Sequence, residues 1–266
     1  EFTVNSVASG DQRDPAVAVA PDGRFFVAWE DDQDRDGDAQ IWLRGFAADG
    51  SELFSDTSVH DDDSGERIQP SIAVNGSGDV VVAWQDDGDA NGSYQVHARG
   101  FDASGHARFS RVVVNSVSAG QQKNPSVGVS SAGSFVVAWA DDQEADGDYQ
   151  IMARSFTSSG SGVTEWTVAS GGQRRDPHVS MSPSGAFAIT WEDDGDGNGS
   201  YQIKVATWTS GGATWRSTAT VNKEGAGQQT NPAVGFADDG TMVVLWTDDM
   251  DGNDIGQILA AGFDAP

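Results

Sequence analysis

The chain has 266 residues with 33 glycines, no cysteine and a formal charge of −26, from 41 Asp and Glu against 15 Lys and Arg. So acidic a balance excludes a surface that replaces counterions on nucleic acid or docks on anionic lipid, and no apolar run approaches the roughly 20 residues of a membrane helix. Disulfides and thiolate metal sites are excluded outright, while an apolar fraction of 37 % before glycine is counted belongs to a chain that buries a core.

The opening stretch, EFTVNSVASG, lacks the basic and apolar regions of a signal peptide, and the chain is expected to be soluble as it stands. After Pro15 a first strand is predicted through Val17 and Val19, and a tight turn ending in Gly23 leads to a second, RFFVAWEDD. An acidic loop from Asp32 precedes a third strand, QIWLRGF, and a polar turn precedes a fourth. The unit then recurs. Trp29, Trp84, Trp139, Trp191 and Trp246 follow one another at 55, 55, 52 and 55 residues, and Pro15, Pro70, Pro125, Pro177 and Pro232 each lie 14 residues earlier. The five tryptophans are expected in the core between units.

Five units of four short antiparallel strands predict an all-β, five-bladed β-propeller forming a single domain over 1–266. Its blades are expected at about 15–60, 70–115, 125–169, 177–222 and 232–266, the last completed by residues 1–8. Val4 and Asn5 precede Pro15 by the spacing that separates Val114 and Asn115 from Pro125. The N-terminal segment is therefore expected to join the last blade as its outer strand and close the ring.

Between the second and third strands, oxygen-bearing side chains recur at loop positions 1, 3 and 5, with Gly at position 6 in four copies and Gln at position 9 in all five. The candidate metal ligands are Asp32, Asp34, Asp36, Asp38 and Gln40 in the first loop and Asp87, Asp89, Asn91, Ser93 and Gln95 in the second. They continue as Asp142, Glu144, Asp146, Asp148 and Gln150, then Asp194, Asp196, Asn198, Ser200 and Gln202, and finally Asp249, Asp251, Asn253 and Gln257. Alternate oxygens on a curled backbone suit Ca²⁺, one ion per blade and up to five in all; zinc would need His or Cys. The alternative is a halophile-like acidic surface with hydrated carboxylates. The first loop holds six acids between Glu30 and Asp38, which unneutralised would repel by a few kcal/mol per close pair.

These loops resemble the DxDxDG calcium hairpins of integrin-alpha-like propeller repeats found in bacterial secreted proteins, without the other signatures of that repeat and with Gln in place of the final carboxylate. The resemblance implies calcium at extracellular concentration and hence a secreted or cell-surface protein. In blade number alone the chain is also similar to five-bladed lectins, an analogy of fold.

Ligand contacts are sought on the face that carries the loops. Tyr94, Tyr149 and Tyr201, which follow three of them, either cover the metal or stack on a sugar. Gln12, Arg67, Gln122, Arg174 and Gln229 are expected on the same rim, beside Asp14, Gln69, Asn124, Asp176 and Asn231. Because the conspicuous acids recur blade by blade and the four histidines occupy non-equivalent positions, no lone catalytic group stands out and the chain is not expected to be an enzyme. The function expected is a monomeric binding module for carbohydrate or a surface glycoprotein. The alternative is an adhesion domain of a larger protein with structural calcium, and a glycoside hydrolase ranks last.

Overall fold

The computed structural model describes all residues except 62–63, 224, 250–254 and 265–266. The first sheet holds β1 (Gln12–Val19), β2 (Phe25–Asp31), β3 (Gln40–Phe46) and β4 (Glu52–Ser58). The second holds β5 (Glu66–Val74), β6 (Val80–Asp87), β7 (Gln95–Phe101) and β8 (Ala107–Val113). The third holds β9 (Gln121–Val129), β10 (Phe135–Asp142), β11 (Gln150–Phe156) and β12 (Gly162–Ala169), and the fourth β13 (Gln173–Met181), β14 (Phe187–Asp194), β15 (Gln202–Trp208) and β16 (Thr214–Thr220). The fifth has three strands, β17 (Gln228–Phe236), β18 (Met242–Asp249) and β19 (Gln257–Phe263). Every sheet is an antiparallel meander, and among the described residues there is no helix. The expected all-β propeller architecture is present.

The turn after each first strand depends on glycine as the sequence requires: Gly23, Gly78, Gly133, Gly185 and Gly240 have φ between 80° and 93°, where a side chain would be strained. One face of each blade carries the tryptophan and two residues of the first strand. In the second to fifth blades that face packs on the opposite face of the blade before it. Val127, Val129 and Trp139 thus share a core with Val81 and Ala83, and Val179 and Trp191 share one with Val136 and Ala138. All five tryptophans are at most 5 % exposed; four lie in the core between units as expected, while Trp29 is covered by its own blade and Val4 of the N-terminal segment.

The expected ring closure does not form. Residues 1–8 make no strand, and among the described residues β19 pairs only with β18. Phe2 lies against Phe25 and Phe46, and the Val4 carbonyl accepts a 2.6 Å hydrogen bond from Arg44 Nη1. Arg99 and Arg154 make the same bond to the carbonyls of Val59 and Val114. The N-terminal segment does have the character of a fourth strand's end, as its spacing indicates, but the blade that follows it holds it. The fifth sheet is left with an unpaired edge. Accordingly Val17 and Val19 on the first blade are 62 % and 65 % exposed, and Val243 and Ile258 on the fifth 50 % and 74 %.

Candidate functional site at the propeller axis

Near its start, each first strand carries a residue that precedes proline and sits in the left-handed region. Asp14, Gln69, Asn124, Asp176 and Asn231 have φ of 48–55°, a strained setting for a residue with a side chain. Each marks an irregularity in the ladder to the second strand. Neighbouring blades support the kink: the backbone N–H of Gln69 donates to Glu30 (2.6 Å), that of Asn124 to Gln85 (2.7 Å) and that of Asn231 to Glu192 (2.7 Å). The kinked side chains, with the prolines, Ser71, Ser126 and His178, line a cavity of about 620 Å³ on the axis.

Around this cavity the repeat is broken twice in the same way. Three kinked positions carry amides, and two carry carboxylates, Asp14 and Asp176. Only those two blades also have an Arg–Glu pair behind the carboxylate. Arg13 Nε donates to Glu30 Oε2 at 2.8 Å, and Arg175 Nε donates to Glu192 Oε2 at 2.6 Å. Asn124 Nδ2 donates to Asp176 Oδ1 at 2.6 Å and fixes its orientation. Burial raises the carboxyls of both Asp176 and Glu192, and Arg175 opposes the rise in each. Burial likewise lowers His178, whose Nδ1 accepts the Val234 backbone N–H, so its imidazole is neutral. The axis therefore presents a carboxyl raised by burial, Asp176, on one blade and a second, more exposed carboxylate, Asp14, on a non-adjacent one.

The rim expected to bind ligand is not displayed. Arg67, Gln122 and Gln229 are fully buried and Arg174 is 8 % exposed. They turn inward to the acids beneath the tryptophans: Arg67 to Asp86, Gln122 to Asp141 and Arg174 to Asp193, with Gln12 reaching Asp31. Gln229 donates instead to the Ala226 carbonyl. A buried carboxylate two residues after each tryptophan needs such a donor more than the surface needs a polar side chain. Tyr94 is tied to Glu66, and Arg175 stacks 4.0 Å above the Tyr201 ring. Tyr149 packs on the core of the third and fourth blades and borders a small cavity with Asp146 and Asp148.

The acidic loops curl as predicted, with φ of 81–97° at Gly37, Gly92, Gly147 and Gly199. In the first loop, oxygens of Asp32, Asp34 and Asp36 come within 4.8 Å of one another. Asp87, Asp142 and Asp194 accept backbone amides of their own loops, and burial together with Asp36 raises Asp38. The partners of Asp89 and Asp196 are the side-chain amides of Asn91 and Asn198, while Ser93 and Ser200 donate backbone N–H groups to those asparagines. Glu144 borders the small cavity beside Tyr149. Three of the glutamines at position 9 do not enter the loops as expected. Gln40 bonds Gly65 and Arg67, and Gln95 and Gln202 accept from Asn115 and Asn222, because their place in the third strand directs them to the fourth strand's end. Gln150 opens β11 beside that cavity, and Gln257 opens β19 exposed. Asp249 ends β18, and Asp251 and Asn253 lie outside the described residues.

No family model matches the chain, and no curated protein matches it. Solved structures do share the fold. The alpha-L-arabinanase of Penicillium chrysogenum, complexed with arabinobiose, is 12 % identical with a TM-score of 0.58, over 97 % of this chain and 85 % of that one. The alpha-L-arabinofuranosidase of Fusarium graminearum, also with arabinobiose, is 12 % identical with a TM-score of 0.60, over 94 % and 80 %. An endo-arabinase of Bacteroides thetaiotaomicron is 13 % identical with a TM-score of 0.50, over 99 % and 98 %. At these identities the likeness is one of fold. The three are described as carbohydrate-processing enzymes, which runs against the expectation of a binding module without catalysis.

Proposed function

We propose that the chain is a carbohydrate-processing enzyme of the glycoside-hydrolase kind, with its reacting site in the axial cavity. One observation carries this reading. At five equivalent kinked positions, two blades replace an amide by a carboxylate and add an Arg–Glu pair behind it. The fold does not require the acid, because Gln69, Asn124 and Asn231 serve at the other three positions. Asp176 is the general acid. Burial favours its protonated form, and the proton passes to the glycosidic oxygen as the bond from that oxygen to the anomeric carbon breaks. Asp14 takes a proton from the water whose oxygen bonds to the anomeric carbon, so one water is consumed per linkage. Amides and hydroxyls around the cavity, such as Asn231 and Ser71, suit sugar hydroxyls.

Calcium in the acidic loops is part of the same proposal, as a clamp that holds the rim around the cavity. The approach of Asp32, Asp34 and Asp36 supports it, and an extracellular setting would supply the ion. The test is hydrolysis of a panel of arabinans and aryl glycosides by the intact chain and by Asp14→Asn and Asp176→Asn. Asparagine already occupies this position in two blades, so both variants should fold with unchanged melting temperature. Each should lose activity by roughly 10²–10⁴-fold. Absence of turnover on the whole panel, or full activity in both variants, would overturn the assignment.

A further inference from the structure

Inside the molecule, the end of a fourth strand is bonded on two sides. It is tied forward to the blade that follows: Arg154 Nη1 donates to the Val114 carbonyl at 2.8 Å, and the Ser116 N–H donates to Glu165 at 3.0 Å. It is tied back to the third strand of its own blade: the Val114 N–H donates to the Val96 carbonyl at 2.8 Å, and the Val96 N–H donates to Asn115 Oδ1 at 2.9 Å. Val221 and Asn222 repeat the backward pair of bonds on Ile203.

The N-terminal segment makes the forward bonds and has nothing behind it. Arg44 Nη1 holds the Val4 carbonyl, and the Ser6 N–H donates to Asp56 at 2.8 Å. Asn5 Nδ2 donates to the Val7 carbonyl as Asn115 Nδ2 does to that of Val117. The counterpart of Val96 and Ile203 for a backward bond is Ile258, paired with the residue after its blade's tryptophan just as they are. Among the described residues no strand joins the outer edge of β19.

The side chains at the seam are unfilled in the same complementary way. Between the third and fourth blades, Val179 and Trp191 pack on Val136, Ala138, Ile151 and Ala153, and none of the six is more than 4 % exposed. The last four have as equivalents on the fifth blade Val243, Leu245, Ile258 and Ala260, all of them exposed. Val17 is the equivalent of Val179 and is exposed on the first blade. Val27, Trp29, Val4 and Asn5 border a groove of about 340 Å³ beside it. In a molecule of charge −26, two apolar faces that match by repeat are the surfaces on which a like-charged copy can be met.

We infer that the seam binds a second copy of this chain head to tail: the fifth blade of one copy covers the first blade of another, and Val4 and Asn5 of the latter complete the sheet of the former at Ile258. The occupant has to offer an apolar blade face of this repeat together with a third strand that lacks a fourth. Among the described residues the fifth blade alone offers both, and within one chain it stands apart from the first. The contact joins unlike surfaces, so each added copy leaves one face of either kind free. Strand pairing and face packing then reproduce the four junctions already present inside the chain. Repulsion between negative copies opposes the contact, so salt favours it and dilution separates the copies.

The chain has no cysteine, which makes thiol cross-linking specific to introduced positions. Val17→Cys and Val243→Cys alter exposed residues and should leave the melting temperature of dilute protein unchanged. An equimolar mixture of the two, treated with a short bismaleimide at high micromolar concentration, should give a dimer whose linked peptide joins position 17 to position 243, at least tenfold faster than either variant alone. The double variant should link into dimers and longer chains. In sedimentation, the unaltered chain should rise above its monomer mass of 27.9 kDa from low to high micromolar concentration, further at high salt, and Ile258→Asp should weaken that association at least tenfold. A monomer mass throughout, a link formed within one chain of the double variant, or dimers joining 17 to 17 or 243 to 243 would each overturn the inference. None of these readouts depends on whether Asp14 and Asp176 hydrolyse anything.

Discussion

Five blades place a carboxylate beneath the second-strand tryptophan, and they neutralise it differently. Asp86 receives Arg67, and although burial alone would raise it, His97, Trp84 and Arg67 hold it well below the usual carboxylate range. Asp141 receives only Gln122 Nε2, at 3.0 Å, and burial pushes it up to about 6. Trp139 Nε1, which would be its other donor, has no partner. The folded chain therefore binds this proton more tightly than the unfolded one. The group costs nothing below about pH 4 and destabilises increasingly as the pH rises through 6, to about 3 kcal/mol for a shift of roughly two units. Asp141→Asn keeps the oxygen that Gln122 bonds and removes the charge. Its melting temperature should exceed that of the unaltered chain by roughly 5–10 °C at pH 8 and match it at pH 4. A gain that is the same at both pH values would show that charge burial is not the cause.

Among the acidic hairpins, two kinds of loop emerge from one motif. In the second and fourth, Asn91 and Asn198 donate side-chain N–H groups to Asp89 and Asp196 at 2.7 and 2.9 Å, so part of the negative charge is met without metal. The first and third have Asp36 and Asp146 at that position, which can only accept. Calcium dependence should therefore concentrate in the first and third loops. Chelator is expected to lower the melting temperature, and calcium at a hundredfold excess over its Kd to restore about 2.7 kcal/mol per filled site. Asp36→Asn should raise the metal-free melting temperature by roughly 2 °C and shrink the calcium increment. An unchanged increment would move the ion elsewhere. The hairpin geometry was legible in the sequence because spacing and glycine suffice to curl nine residues. The glutamines were misplaced because position 9 belongs to β3, β7 or β15, where the strand's pleat, not the loop, decides direction.

Across the whole molecule, the repeat made strands, turns and inter-blade tryptophans readable, since each depends on residues close in sequence. The axial cavity was not readable in that way. It draws one kinked residue from each of five blades, and Asp14 and Asp176 gain meaning only when set beside Gln69, Asn124 and Asn231. Ring closure was misread for a related reason: the ends match in sequence, but whether two faces meet depends on the angle between successive sheets. One repeat position makes the open seam measurable. Ile41, Ile151 and Ile203 occupy equivalent places in the third strands and are fully buried, whereas Ile258, at the same place in the fifth blade, is 74 % exposed. Ile203→Thr puts a hydroxyl into a packed interface and removes a methyl group, at a cost of about 2–4 kcal/mol. Ile258→Thr makes the same change at the surface and should stay within about 0.5 kcal/mol. Chemical denaturation of the two variants compares one chemistry in two settings. If Ile258→Thr proves as destabilising as Ile203→Thr, the first and fifth blades meet in solution, and the seam is a closed interface like the other four.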